Sequence, residues 1–121
     1  MSYRQSLEAA GARIIAFEHF GDWQGSWVAL VEYQGETGWV HGWFGSCTEC
    51  DAFQSEFGFD DDFKSEYERE RLASFGRTYL EGLMPIDNLL RHYLADSEWD
   101  TEAADVVFWI RETAQTYGVA A

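Results

Sequence analysis

Basic residues are what this 121-residue chain has least of: one lysine, Lys64, and seven arginines stand against 22 Asp and Glu, a formal net charge of −14. Phosphate contacts need Lys and Arg, so direct nucleic-acid binding through a basic groove is excluded, and so is an anionic membrane surface. No apolar run approaches bilayer-spanning length. The N-terminus, Met-Ser-Tyr-Arg-Gln-Ser, has no signal-peptide core, and the expected location is cytoplasmic. The two cysteines are three positions apart, which cannot staple a secreted disulfide scaffold. The chain lacks G-x-S-x-G, H-E-x-x-H and a P-loop, and no nucleophile arrangement recommends an enzyme. Repeats, low-complexity tracts and long linkers are also missing, so one domain over 1–121 is expected.

Large apolar side chains are abundant. Hydrophobic residues make up 46% of the chain and aromatic ones 17%, enough for a packed core despite the charge. Three segments rich in β-branched and aromatic residues predict strands: Arg13 to Phe20, Ser26 to Tyr33 and Thr37 to Phe44. Short Gly-bearing linkers join them, which predicts an antiparallel meander. Period-two spacing puts Trp39, His41 and Trp43 on one face of the third strand, and Val40, Gly42 and Phe44 on the other. Both faces carry apolar residues, so helices are expected over much of the sheet.

The remainder reads as helix. Gln5 to Ala10 and Thr48 to Phe57 are short candidates. Asp60 to Leu83 is longer, but its phase breaks: Phe63 and Tyr67 share one stripe, while Leu72, Phe75, Tyr79 and Leu83 lie nearly opposite. Either the helix is interrupted near Glu68 to Arg71, or its first part packs against something different. Pro85 opens a helix with Ile86, Leu89, Leu90, Tyr93 and Leu94 on one face. Asp100 is the expected N-cap of a last helix, Thr101 to Tyr117, whose stripe is Ala103, Val106, Val107, Ile110, Ala114 and Tyr117, with Gly118 as its stop. Strands first and helices after predict α+β: a three-stranded antiparallel meander in the N-terminal half, packed against three to five helices from the C-terminal half.

The run Trp39 to Phe53 contains Cys47-Thr-Glu-Cys50. Half of a zinc site has this spacing, and His41 and His19, or a carboxylate such as Asp51, are the candidates to complete four ligands with Cys47 and Cys50. A redox pair is disfavoured, because Glu49 and Asp51 raise a thiol pKa and no βαβ unit precedes the motif. The favoured reading is a strand-to-helix corner, with Gly45 releasing the strand and Ser46 or Thr48 capping the helix. No cofactor is expected on that reading; zinc is the alternative, in a small structural or regulatory module.

The residues Gln24-Gly25-Ser26-Trp27 and Gly38-Trp39-Val40-His41-Gly42-Trp43-Phe44-Gly45-Ser46-Cys47-Thr48-Glu49-Cys50-Asp51-Ala52-Phe53 resemble small uncharacterised proteins of bacteriophages and their hosts. Those carry a similar strand followed by Gly-Ser-Cys-x-x-Cys-Asp-x-aromatic. The resemblance covers roughly the first half of the chain and implies a phage or mobile-element origin, with no catalytic residues to carry over. Many small acidic phage proteins block host restriction or CRISPR enzymes.

Acids cluster in two runs. Nine fall between Glu49 and Glu70, against Lys64 and Arg69. Asp96, Glu98, Asp100, Glu102 and Asp105 form a second run with no base among them. The spacing of Asp60, Asp61, Asp62 and Glu66 fits no EF-hand loop. Facing one way, the two runs would make a negative strip able to occupy a channel lined with Lys and Arg. A solvated surface serving solubility, or a salt-adapted composition, is the plainer explanation. The expectation is an acidic protein-binding inhibitor of a nucleic-acid enzyme. Its partner is the basic surface of a nucleic-acid-binding protein. Its contacts are Asp60, Asp61, Asp62, Glu66, Asp96, Glu98, Asp100 and Glu102, with Phe59 and Phe63 as aromatic anchors.

Overall fold

The computed structural model describes residues 2–22, 24–45, 51–57 and 66–119. Chain order is α1 (Tyr3–Ala9), β1 (Arg13–Gly21), β2 (Gly25–Tyr33), β3 (Glu36–Phe44), α2 (Ala52–Phe57), α3 (Glu66–Leu80), α4 (Ile86–Leu94) and α5 (Thr101–Tyr117). The strands form one antiparallel sheet in the order β1-β2-β3. The fold is therefore α+β, with the meander ahead of most of the helices.

A two-residue turn fixes the second hairpin. Gln34 and Gly35 both have positive φ, 52° and 81°, which suits the right-handed twist of the strands they join. Tyr33 then pairs with Glu36, and the register runs on through Val28 with His41 and Trp27 with Gly42. In the first hairpin His19 pairs with Trp27 and Glu18 with Val28. A bulge between Ile14 and Ala16 sends the consecutive residues Ile15 and Ala16 to the same side of the sheet.

The sheet is the middle layer of three. One face carries Trp27, Ala29, Val31 and Val40, packed under Tyr3 and Leu7 of α1, Phe53 and Phe57 of α2, and Leu72 and Leu80 of α3. The other carries Val28, Leu30 and Trp39, packed under Ile86 and Leu89 of α4 and Val106, Ile110 and Ala114 of α5. Trp27 and Trp39, both shielded from solvent, centre these two clusters. Trp27 lies flat on Gly42, where a β-carbon would come within 2.7 Å of the indole nitrogen. Burying one such large side chain stabilises the fold by about 1.5–3 kcal/mol.

Helices α1 and α3 approach through Gly76. A β-carbon there would stand 1.9 Å from the carbonyl oxygen of Ser6, so the two backbones touch with nothing between them. The helix α3 runs unbroken through Glu68 to Arg71, which removes the interruption from the two alternatives the broken phase allowed. The phase changes because Tyr67 faces solvent rather than a second core. Arg71 lies over the rings of Phe57 and Tyr67 and donates to the Glu56 carbonyl, tying α2 to α3. The helix stops at Leu80, three residues before the predicted end. Met84 and Trp39 then exchange backbone hydrogen bonds of 2.8 and 2.9 Å, which anchor the chain on the edge of β3 before Pro85. Tyr117 is exposed rather than part of the α5 stripe, while Asp100 caps α5 and Gly118 ends it at φ 66° as expected. No helix among the described residues is long and apolar enough to cross a membrane.

Candidate partner-binding surface

The corner between α4 and α5 is built by its own backbone. Asp96 N–H donates to the Tyr93 carbonyl, and Trp99 and Asp100 N–H both donate to the Asp96 carbonyl. Asp100 then turns its side chain onto the Glu102 N–H at 3.0 Å, closing the first turn of α5. This winding leaves Asp96 and Glu98 in solvent, with Trp99 75% exposed between them and the next acids. Further along α5, Asp105, Phe108 and Glu112 share the outward stripe, and Phe108 is 67% exposed. Among the described residues none of Asp96, Glu98, Asp100, Glu102 and Asp105 is ion-paired; the salt bridges present join Arg4 to Glu8, Arg13 to Glu32 and Arg71 to Glu56. The corner thus combines unneutralised charge with bare aromatic area.

Beside this corner a polar chain crosses from the sheet to α4. His41 on β3 meets the Tyr93 hydroxyl through Nδ1 at 3.1 Å, and the Ser26 side chain on β2 lies near that hydroxyl. Burial, and then the neighbouring His92, push the His41 pKa below its ordinary value; the two imidazole centroids are 4.6 Å apart. Burial raises the Tyr93 pKa. The chain ends at a depression lined by Gln24, Gly25, Ser26, Trp43 and Glu102. Partial burial and then the Asp100 charge raise the Glu102 pKa.

The sequence-predicted site residues are distributed as follows. Asp60, Asp61, Asp62 and Phe63, together with Phe59, lie outside the described residues. Glu66 is exposed on the first turn of α3, in the layer opposite α4 and α5. Among the described acids, the condition of facing one way is not met: Glu66 is on one side of the sheet, and Asp96, Glu98, Asp100 and Glu102 are on the other. Charge and periodicity did not single out Trp99 and Phe108. Phe108 falls outside the apolar stripe of α5, and Trp99 lies in the turn between α4 and α5.

Of the zinc set, Cys47 and Cys50 lie outside the described residues. His19 and His41 point to opposite faces. His19 is in register with Trp27 and Gly42, and its ring packs edge-on to Phe17 and Phe44; His41 is in register with Val28. The joint use of both histidines by one ion is thereby ruled out, since the sheet stands between them. Asp51, the carboxylate alternative, is buried and already engaged. One oxygen accepts from the Tyr3 hydroxyl at 2.7 Å and the Phe53 N–H at 2.9 Å, the other from the Gly45 N–H at 2.9 Å. The bond from the Phe53 N–H puts Asp51 at the start of α2; the expected caps Ser46 and Thr48 lie outside the described residues. Burial, and then the bond to Asp51, push the Tyr3 pKa well above the ordinary phenol value. Among the described residues no group of three or more His, Cys, Asp and Glu is placed to hold a metal ion.

No protein-family model matches this chain, and neither a curated protein nor a solved structure does.

Proposed function

We propose that this chain is a non-catalytic acidic protein-binding module that covers the basic surface of a nucleic-acid-binding protein and competes there with DNA or RNA. The observation that carries the reading is the α4–α5 corner. Five acids between positions 96 and 105, without a single Lys or Arg, sit on one turn-and-helix start beside the exposed rings of Trp99 and Phe108. Net charge of −14 steers a cationic partner from a distance. The aromatic rings supply the desolvated area that charge alone lacks. In a phage or mobile-element setting, the target is a host restriction or CRISPR-type enzyme.

The test replaces Asp96, Glu98 and Asp105 together by Lys, three exposed positions with no structural bond from their side chains. Immobilised protein is challenged with host lysate at low and high salt, with and without competing duplex DNA or RNA. The expected result is capture of basic nucleic-acid-binding proteins, weakened by salt, displaced by nucleic acid and lost in the triple variant. Capture that survives the triple substitution and ignores competing nucleic acid would refute the reading.

A further inference from the structure

The depression at the foot of the first hairpin adjoins the acidic corner and shares Glu102 with it. It is an open hollow of about 450 Å³ between β2, β3 and the start of α5. Ser26 and Trp43 are direct cross-strand partners, so they stand side by side on this face. Trp43 is 62% exposed although it sits on a covered sheet face, which leaves its indole as an unoccupied wall. Opposite it is Glu102. Its Oε1 lies over the neck of the hairpin, where β-carbons on Gly21 and Gly25 would approach to 2.5 and 2.9 Å. These two glycines pair with each other across the strands and make the room that the carboxylate occupies.

The residues lining this depression offer acceptors. The Ser26 hydroxyl oxygen carries two lone pairs. Glu102 is an acceptor, and Gln24 offers an amide oxygen. Asp100, one turn position away, adds a second negative charge that outweighs the partial positive charge at the α5 N-terminus. An aromatic wall facing a set of acceptors under negative potential suits a flat cation with several donors. Guanidinium meets that description better than ammonium: it stacks on aromatic faces, is weakly hydrated and binds carboxylate with two parallel bonds.

We propose that this depression receives one arginine side chain of the partner protein, its guanidinium held between the Trp43 indole and the Glu102 carboxylate with Ser26 and Gln24 accepting the remaining N–H groups. The proposal rests on the reading of the chain as an acidic protein-binding module, and it names the partner residue that this module captures. The raised pKa of Glu102 supports it, because an incoming cation restores the charge that partial burial disfavours.

The experiment titrates the ¹⁵N-labelled protein with N-acetyl-arginine amide, following the Trp43 indole N–H resonance, assigned by its loss in Trp43→Phe. Parallel arms use N-acetyl-citrulline amide, which keeps the shape without the charge, N-acetyl-lysine amide, and guanidinium chloride, which lacks the stem. The expected result is a saturable shift with the arginine probe, none with citrulline, and binding weaker by at least about tenfold in Glu102→Gln and in Trp43→Ala. Glu81→Gln, an exposed acid just after α3, should leave the titration unchanged. Equal responses to lysine and arginine, binding by guanidinium chloride as tight as by the arginine probe, or an unaltered titration in Glu102→Gln would overturn the proposal. The two readings fail separately. No arginine binding, with partner capture still lost in the Asp96/Glu98/Asp105 variant, removes the receptor and keeps the module. Arginine binding, with capture untouched in that variant, does the reverse.

Discussion

Gly76→Ala should weaken the fold, although the same change in an exposed helix interior strengthens one by about 1 kcal/mol. The added β-carbon would lie 1.9 Å from the Ser6 carbonyl oxygen and 2.5 Å from its carbon, against ordinary contact from 3.4 Å. Both obstructing atoms are backbone, so no side chain swings away. Helices α1 and α3 must part by about 1.5 Å, the gap between the 1.9 and 3.4 Å distances. A gap of roughly 0.5–1 Å already forfeits a quarter to a half of the dispersion well. The buried residues that α1 brings to the core, Tyr3 and Leu7, are each worth about 1.5–3 kcal/mol. Loss of about half of that, with about 1–3 kcal/mol of overpacking, outweighs the propensity gain and leaves a net cost of about 2–4 kcal/mol. For a domain of this size each kcal/mol lowers Tm by about 3–5 °C. Urea denaturation followed by far-UV circular dichroism measures the loss directly. Ser74→Ala, exposed on the same helix, is the control and should be neutral or stabilising by a few tenths of a kcal/mol. A Gly76→Ala midpoint at or above that of the parent would show that α1 does not rest on α3 through this residue.

Two further outcomes follow from other buried groups. Asp51→Asn replaces an oxygen that accepts hydrogen bonds by an amide nitrogen that cannot, against three donors from Tyr3, Gly45 and Phe53. The expected loss is about 1–3 kcal/mol in urea, with a double-mutant cycle against Tyr3→Phe showing coupling of at least about 0.5 kcal/mol; additive losses would contradict the shared bond. His41 has a pKa below the ordinary imidazole value of about 6.5, mainly through burial. The unfolded chain therefore binds its proton first, and stability falls as pH drops from about 6.5 toward the folded-state value. His41→Gln should flatten that decline in a urea-midpoint series from neutral to mildly acidic pH, and an unchanged slope would contradict the burial of a neutral His41.

The elements were legible where one signal governed them. The strands Arg13–Gly21, Gly25–Tyr33 and Glu36–Phe44 each differ by at most one residue at an end from what β-branched and aromatic content predicts, and α5 has its predicted bounds because Asp100 and Gly118 mark both ends. What escaped depended on distance in three dimensions. Period two places His19 and His41 within their own strands, but their opposition across the sheet depends on the register of two hairpins. Gly76 carries no local sign that the backbone of α1 will lie against it. Tyr67 broke the helical phase and suggested an interruption, since periodicity does not distinguish an apolar residue left in solvent from one packed elsewhere. Acid content located the α4–α5 corner, whereas Trp99 and Phe108 within it depend on how the corner winds.

Among the described residues the two clusters meet through the backbone of a three-stranded sheet, and this makes them thermodynamically separable. Substitutions in Trp27, Leu72 or Leu80 should add nearly independently to substitutions in Leu89, Val106 or Ile110, because the side chains share no partner. The layer that carries Trp99, Phe108 and the acids is thus free to change its surface, and even its packing, while α1 and α3 hold the sheet from behind. Such a division of labour lets one layer vary while the other keeps the fold.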